Sequence, residues 1–220
     1  MRSTESAPDR TFKRDAYTAW AEVTKALGSD RRLELVELLL QRPHRVDELA
    51  ARVQQPMANV SGHLRVLRKA RLVLTQRRGT AIHYRLAPGV ADVVVALRRL
   101  ALDRSPVLND AVERYFADAP ETIPSDELQD LLAQGRATLV DVRPHDEYVE
   151  AHIPGAVSIP LPELFDRADE LPDGLLVATC RGPFCTYAAT AVRTLREAGR
   201  EAVRFEQGPA DWAFDGGVLA

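Results

Sequence analysis

Two domains of different class are predicted, a mainly-α domain followed by an α/β domain with an open, mainly parallel sheet. At 220 residues the chain exceeds the ~100–150 typical of one domain. Its charge divides unevenly: residues 1–105 hold 20 Lys and Arg against 11 Asp and Glu, a net +9, and residues 106–220 hold 9 against 21, a net −12. The apolar pattern changes too, from leucines at helical spacing to short strands alternating with helices after Pro106. The expected divisions are a disordered lead-in over 1–15, a first domain over 16–104, a connecting segment over 105–121 and a second domain over 122–220.

The 45% hydrophobic and 28% charged composition is ordinary for a globular chain. No apolar run approaches the ~18 residues of a membrane span, so no membrane partner is expected. Met1 to Lys13 is polar without an apolar centre, unlike a secretory signal, and a cytoplasmic protein is expected. The two cysteines, Cys180 and Cys185, are too few and too close for a disulfide framework. Two cysteines in one short loop point to chemistry. A basic half joined to an acidic half fits a polyanion-binding domain attached to one with another task.

In the first half, Leu27, Leu33, Leu35, Val36, Leu38, Leu39 and Leu40 alternate with charges, predicting a helix over about Arg31–Gln41 with Asp30 as its N-cap. Arg42-Pro43-His44 breaks it. A short helix near Val46–Val53 follows, with Leu49, Ala50 and Val53 as its stripe. Gln54-Gln55 makes a tight turn, and Pro56 is acceptable in the first turn of the next helix, about Pro56–Ala70. There Met57, Val60, Leu64 and Leu67 face inward, while Asn59, Ser61, His63, Arg65, Arg68 and Lys69 lie away from the stripe. Short helix, tight turn and a second helix with basic residues outside is the helix-turn-helix pattern. Asn59, Ser61 and His63 would meet base edges or phosphates, and Arg65, Arg68 and Lys69 would neutralise the backbone. Leu72–Thr75 and Ile82–Leu86 are predicted strands around a turn at Arg77-Arg78-Gly79-Thr80. That basic hairpin makes a wing, with Arg77 and Arg78 placed to reach a minor groove or phosphates. The first domain is thus predicted as a winged helix-turn-helix.

The segments Lys25–Leu33, Val60–Leu67 and Ala70–Val73 resemble the ArsR/SmtB family of bacterial winged-helix repressors. The resemblance implies a homodimer built from the first helix (near Tyr17–Leu27) and the last (near Gly89–Leu102), bound to an inverted-repeat operator in double-stranded DNA. Val90, Val93, Val94, Leu97, Leu100 and Ala101 agree, forming an apolar face too rich for solvent. The family's inducer sites do not carry over. Val46-Asp47-Glu48-Leu49 lacks the cysteine pair of the metal(loid) sensors, and Asp92 has no histidine partner on the last helix. His44, His63 and His83 lack metal-ligand spacing, so no metal site and no cofactor are expected.

In the second half, a connecting helix is expected over Asp110–Ala117 and a boundary over Ala119–Pro124. Helices follow at Ser125–Gln134 with Ser125 as cap, Asp146–Ala151, Leu161–Ala168 and Thr186–Ala198. Strands are expected at Ala137–Val142, Val157–Ile159, Leu175–Thr179 and Ala202–Phe205. Such alternation over about 100 residues builds a parallel sheet with helices on both faces, whose site lies beyond the carboxyl ends of the strands.

Cys180 stands at such an end, in the order strand, Cys180-Arg181-Gly182-Pro183-Phe184-Cys185, helix. Gly182 and Pro183 favour a curled backbone whose N–H groups converge on one sulfur. The helix N-terminus and Arg181 add positive charge, and all three would lower the Cys180 pKa and favour its thiolate.

Asp141-Val142-Arg143, Glu147-Tyr148, Ala151–Ala156, Ile159-Pro160, the Cys180 loop, and Gly208 with Trp212 resemble the rhodanese family over about 122–220. The resemblance implies that Cys180 takes a sulfane sulfur, from a donor such as thiosulfate or polysulfide, and holds a persulfide with loop amides. Asp141, Arg143 and His152 would be structural pins. Two departures, Ala151 for a usual glycine and Gln207-Gly208 for a glycine pair, are expected to leave the sulfur cradle untouched. Related phosphatases and arsenate reductases carry an arginine six positions after the nucleophile, where this chain has Thr186. Cys185 is either a thiol that resolves a Cys180 persulfide or a small residue packed at the helix start. Three functions stay open: a repressor sensing reactive sulfur through the rhodanese-like domain, a sulfurtransferase with an autoregulatory DNA-binding domain, and a metal(loid)-responsive repressor using Cys180 and Cys185.

Overall fold

The computed structural model describes residues 10–117 and 119–220. Two compact units divide between Val90 and Ala91.

The first unit opens with α1 (Arg10–Leu27) and α2 (Asp30–Leu39). Residues 10–15, expected within a disordered lead-in, are helical, because no Pro or Gly interrupts the chain between Pro8 and Gly28. The rest of that lead-in, 1–9, lies outside the described residues. Ser29 rather than Asp30 occupies the cap position of α2, and Asp30 instead accepts the Arg31 N–H within the first turn. After β1 (His44–Arg45) come α3 (Val46–Arg52), α4 (Met57–Lys69), β2 (Val73–Arg78) and β3 (Ala81–Leu86). The antiparallel sheet has the order β1-β3-β2. Its β2–β3 turn is the two residues Gly79-Thr80, with Gly79 at φ +61°. Arg77 and Arg78 therefore belong to the strand rather than the turn. Leu35, Val36, Leu49, Val60, Leu64, Leu67 and Val73 form the core. Met57, expected inside, is 53% exposed, because it is the first residue of α4 and lies a turn beyond the buried stripe.

The second unit takes up α5 (Val90–Arg104) almost from its start, although the sequence reading groups Gly89–Leu102 with the first domain. The reason is polar: Arg98 and Arg99 bond to Asp211 and Asp215, more than a hundred residues away. The face of α5 expected to be apolar divides, with Val90 and Val94 buried and Val93, Leu97 and Leu100 exposed. The connecting helix α6 spans Pro106–Tyr115, earlier than expected, since Ser105 caps it and Pro106 suits its first position.

Next come α7 (Ser125–Ala133), β4 (Ala137–Asp141), α8 (His145–Glu150), β5 (Val157–Ser158), α9 (Leu164–Arg167), β6 (Leu175–Thr179), α10 (Tyr187–Glu197), β7 (Ala202–Arg204) and α11 (Pro209–Phe214). Pro124, not Ser125, sits at the cap of α7. The four strands are parallel in the order β5-β4-β6-β7, placing β6 centrally. The period of two assigns the faces. Leu176 and Ala178 of β6 join Val140 and Val142 under α10, while Val177 joins Leu139, Leu128, Ile153 and Phe205 on the other face.

Candidate functional site

Two surfaces carry the candidate residues. On α4, Asn59, Arg65, Arg68 and Lys69 are exposed, whereas Ser61 and His63 are half-buried beside Val60 and Leu64. Arg77 and Arg78 are exposed along β2, and Arg77 Nε donates to the Gly79 carbonyl at 3.0 Å. The helix and the hairpin thus present cations from two elements of one unit.

The second surface is the loop after β6. Cys180 lies two residues beyond Ala178, so the strand's alternation turns its side chain to the same face, into the apolar cluster under α10. It is 2% exposed. Its sulfur donates to the Cys185 carbonyl at 3.4 Å. Burial, and after it the Cys185 sulfur, push the Cys180 pKa well above the usual thiol range, although the Ala188 and Gly182 amides point at it. Contrary to the expectation of a depressed Cys180 pKa, desolvation in an apolar cluster opposes the two amide dipoles and raises it.

The depressed thiol is Cys185. The hydrogen bond from Cys180 and the N–H groups of Arg181 and Tyr187 outweigh its burial, and the Arg181 charge adds to them, bringing its pKa down to about 6. It is partly exposed and directly precedes Thr186, the N-cap of α10. Its own N–H donates to the Gly182 carbonyl, closing the curl between the cysteines. Gly182 adopts φ +131°, Pro183 is half-buried and Phe184 is exposed.

The walls of the loop come from elsewhere in the unit. Arg181 turns away from Cys180 to make paired bonds of 2.8 and 2.7 Å with the buried Glu147 of α8, and its guanidinium covers the Tyr187 ring. Asp211 accepts from Arg98 Nη2 at 2.6 Å with one oxygen and from the Gly208 N–H at 3.1 Å with the other. Both side chains of this pair are 4% exposed. The pair rests on Gly182, where a Cβ would come within 3.0 Å of Asp211 and 3.5 Å of Arg98. A Cβ on Gly208 would stand 2.5 Å from the Arg181 carbonyl and 2.8 Å from that of Cys180. Gln207, through its carbonyl, accepts from Thr179 Oγ1 at 2.8 Å. The segment Gln207-Gly208 therefore touches the cradle, contrary to expectation, because β7 runs beside β6 and delivers its following loop to Cys180. Asp141 and Arg143 form a buried pair at 2.7 Å, and Arg143 also holds the Ala151 carbonyl. His152 stacks on Tyr148 at 3.8 Å. Each of the three is thus bonded or stacked to a neighbour close in the chain. Sequence reasoning missed the roles of Glu147, Arg98 and Asp211. Glu147 stood in a quoted motif, but nothing local marks Arg98 and Asp211 as partners.

A basic helix-and-hairpin surface and a cysteine loop on a parallel sheet define a regulator of two parts. The bacterial regulatory protein, arsR family, matches residues 29–75, and the rhodanese-like domain matches residues 124–215. The HTH-type transcriptional regulator Rv0324 of Mycobacterium tuberculosis is 38% identical over 198 residues, spanning 89% of this chain and 88% of that protein. The chain belongs to the ArsR-family transcriptional regulators that carry a C-terminal rhodanese-like domain. Human thiosulfate:glutathione sulfurtransferase is 52% identical over 49 residues, 22% of this chain and 42% of that protein. A solution structure of the homodimeric winged helix-turn-helix domain of Mb0332 from Mycobacterium bovis is 28% identical with a TM-score of 0.43, covering 46% of this chain and 94% of that one. Among the described residues, no helix is long and apolar enough to cross a membrane, and no three His, Cys, Asp or Glu side chains group as metal ligands.

Proposed function

We propose that this transcriptional regulator is a cytoplasmic homodimeric repressor that senses reactive sulfur at the Cys180–Cys185 loop and releases its operator when the loop is modified. One observation carries the reading. Both cysteines of the chain lie in this single loop, the Cys180 thiol donating to the Cys185 carbonyl at 3.4 Å, beside a buried ion pair to α5. Modification changes the charge and volume of a packed loop, and Arg98 against Gly182 links that loop to α5. The exposed Val93, Leu97 and Leu100 on α5 support a dimer face there. Asn59, Ser61 and His63 read bases from α4, while Arg65, Arg68, Lys69, Arg77 and Arg78 neutralise phosphates.

The test uses a DNA duplex that the protein itself selects from a random pool. Sodium tetrasulfide is expected to release wild-type protein from it and to leave Cys180→Ser bound; equal release of both proteins rejects the reading. The match to thiosulfate:glutathione sulfurtransferase favours one second reading, an enzyme that passes sulfur onward to a thiol. Repeated thiosulfate turnover with glutathione supports the enzyme, and a persulfide or disulfide that forms once and persists supports the sensor.

A further inference from the structure

We propose that the Arg98–Asp211 ion pair is the coupling element of the regulator: a sulfur added to the cysteine loop displaces Gly182, the pair opens, and α5 carries the change towards the DNA-binding unit. The proposal rests on the sulfur-sensing reading above and names the residues that transmit its signal.

The loop has one direction in which to give. Tetrasulfide serves as the donor: the Cys180 thiolate attacks a terminal sulfur, the Cys180 Sγ–S bond forms, the terminal S–S bond of the donor breaks and trisulfide leaves as S₃²⁻. The loop gains one sulfur atom, about 2 Å beyond Sγ. Cys180 is 2% exposed beneath α10, so that atom has to displace neighbours already in contact. The start of the loop is clamped. Gly208 stands against it, where a Cβ would come within 2.8 Å of the Cys180 carbonyl and 2.5 Å of that of Arg181, and Glu147 holds the Arg181 side chain at 2.8 and 2.7 Å. Gly182 follows at φ +131°, and its carbonyl accepts the Cys185 N–H at 3.0 Å, so it moves with the rest of the curl. The nearest atoms that a Cβ on Gly182 would meet belong to Asp211, at 3.0 Å, and Arg98, at 3.5 Å.

The pair has two arrangements rather than a continuum. Asp211 holds Arg98 Nη2 at 2.6 Å with one oxygen and the Gly208 N–H at 3.1 Å with the other, and both side chains of the pair are 4% exposed. A buried pair of that kind is either made or broken, which suits a switch. On α5, Val94 and Arg98 lie one turn apart on the buried side. The next residue, Arg99, bonds to Asp215 at the end of α11 and covers the Phe214 ring, so two successive arginines of α5 grip α11. Val93, Leu97 and Leu100 form the adjoining, exposed stripe of the same helix. A shift of the gripped side therefore shifts the exposed one. Because α5 begins at Val90, the residue that closes the first unit, the shift reaches that unit through continuous backbone.

The experiment compares full-length wild type with Arg98→Met/Asp211→Asn, which removes both charges together, and far-UV circular dichroism verifies folding. Each protein is treated with sodium tetrasulfide until peptide mass spectrometry shows sulfur added to the loop, and DNA affinity is measured before and after on the selected duplex. Wild type is expected to lose about 5- to 150-fold in affinity. In the double variant the ratio of the two affinities is expected to shrink to about twofold or less, whereas a merely structural role would lower stability and leave that ratio unchanged. A variant that keeps the wild-type ratio overturns the coupling role while leaving the sensor intact. Wild type that takes up sulfur and holds DNA as before overturns both. A second measurement needs no variant. Hydrogen exchange of wild type is expected to quicken about fivefold or more on treatment at the amides of α11 and of the last two turns of α5. Unchanged exchange there in protein that has released its DNA also overturns the coupling role alone.

Discussion

Replacing Arg98 by Met tests the clasp between α5 and the sulfur loop. Methionine keeps most of the apolar stem and removes the guanidinium. Asp211 would then stay buried with the Gly208 N–H and the more distant charge of Arg99. The pair is 2.6 Å long and both side chains are 4% exposed, so solvent screens it little. Removing one partner of such a pair destabilises by about 3–5 kcal/mol, because the remaining charge is left in a poor solvent. Against a total of about 5–15 kcal/mol for a domain, that loss leaves the second unit marginal. Trp212 stands beside Asp211 and reports on the site. Urea denaturation of the full chain, followed by Trp212 fluorescence with Trp20→Phe as background, is expected to show the loss as a lower midpoint. Adding Asp211→Asn to Arg98→Met removes the stranded charge and is expected to recover about half the loss, a coupling that a double-mutant cycle measures. An unfolding free energy within about 1 kcal/mol of wild type for Arg98→Met alone would show that the pair is dispensable.

Gly208→Ala pushes a Cβ against the Cys180 and Arg181 carbonyls at 2.8 and 2.5 Å. It is expected to destabilise the unit by about 1–3 kcal/mol and to slow sulfur uptake from tetrasulfide on the order of tenfold or more, read by alkylation and peptide mass spectrometry. Burial first, and then the Arg42 charge, hold the His44 pKa below its ordinary value, so the unfolded chain takes that proton before the folded one. The stability of the first unit is therefore expected to be full above about pH 6.5 and to fall on acidification below it; circular-dichroism melts at several pH values should show a slope that His44→Gln flattens. Arg77→Ala and Arg78→Ala are each expected to reduce the slope of log K against log salt by about 1, equally on all duplexes. Asn59→Ala is expected instead to relax the preference at one base pair by about 1–3 kcal/mol, in a competition assay with single-position DNA variants.

Most of the architecture was legible because each element has a local signal. Leu64 and Leu67 at helical spacing gave α4, and the apolar run Leu175–Thr179 between turn residues gave β6. The strand β1 was not legible: two residues carry no period, and its existence depends on pairing with β3. Nor was α11, whose six residues are held by Asp211 and the Gly208 turn rather than by a long apolar stripe. At the site, the loop and its two thiols could be read from sequence, but the burial of Cys180 could not. That burial depends on the face to which a period-two strand delivers Cys180 beneath α10. Likewise, the positive charge of Arg181 was visible, but not its commitment to Glu147.

That commitment bears on the kind of chemistry the loop can support. A tetrahedral oxyanion spreads its charge over several oxygens and calls for a forked cation above the loop, the geometry that arginine supplies to phosphate. Here the sixth position after Cys180 is Thr186. The two guanidiniums beside the loop are held by carboxylates, Arg181 by Glu147 at 2.7 Å and Arg98 by Asp211 at 2.6 Å. Recruiting either would strip a buried carboxylate of its partner, at a cost of several kcal/mol. Sulfur transfer makes a smaller demand. The charge sits on one large, polarisable sulfur at a time, and directed N–H groups with a helix terminus suffice to hold it. The Arg181 and Tyr187 amides serve that demand at Cys185, while at Cys180 those of Gly182 and Ala188 work against its burial.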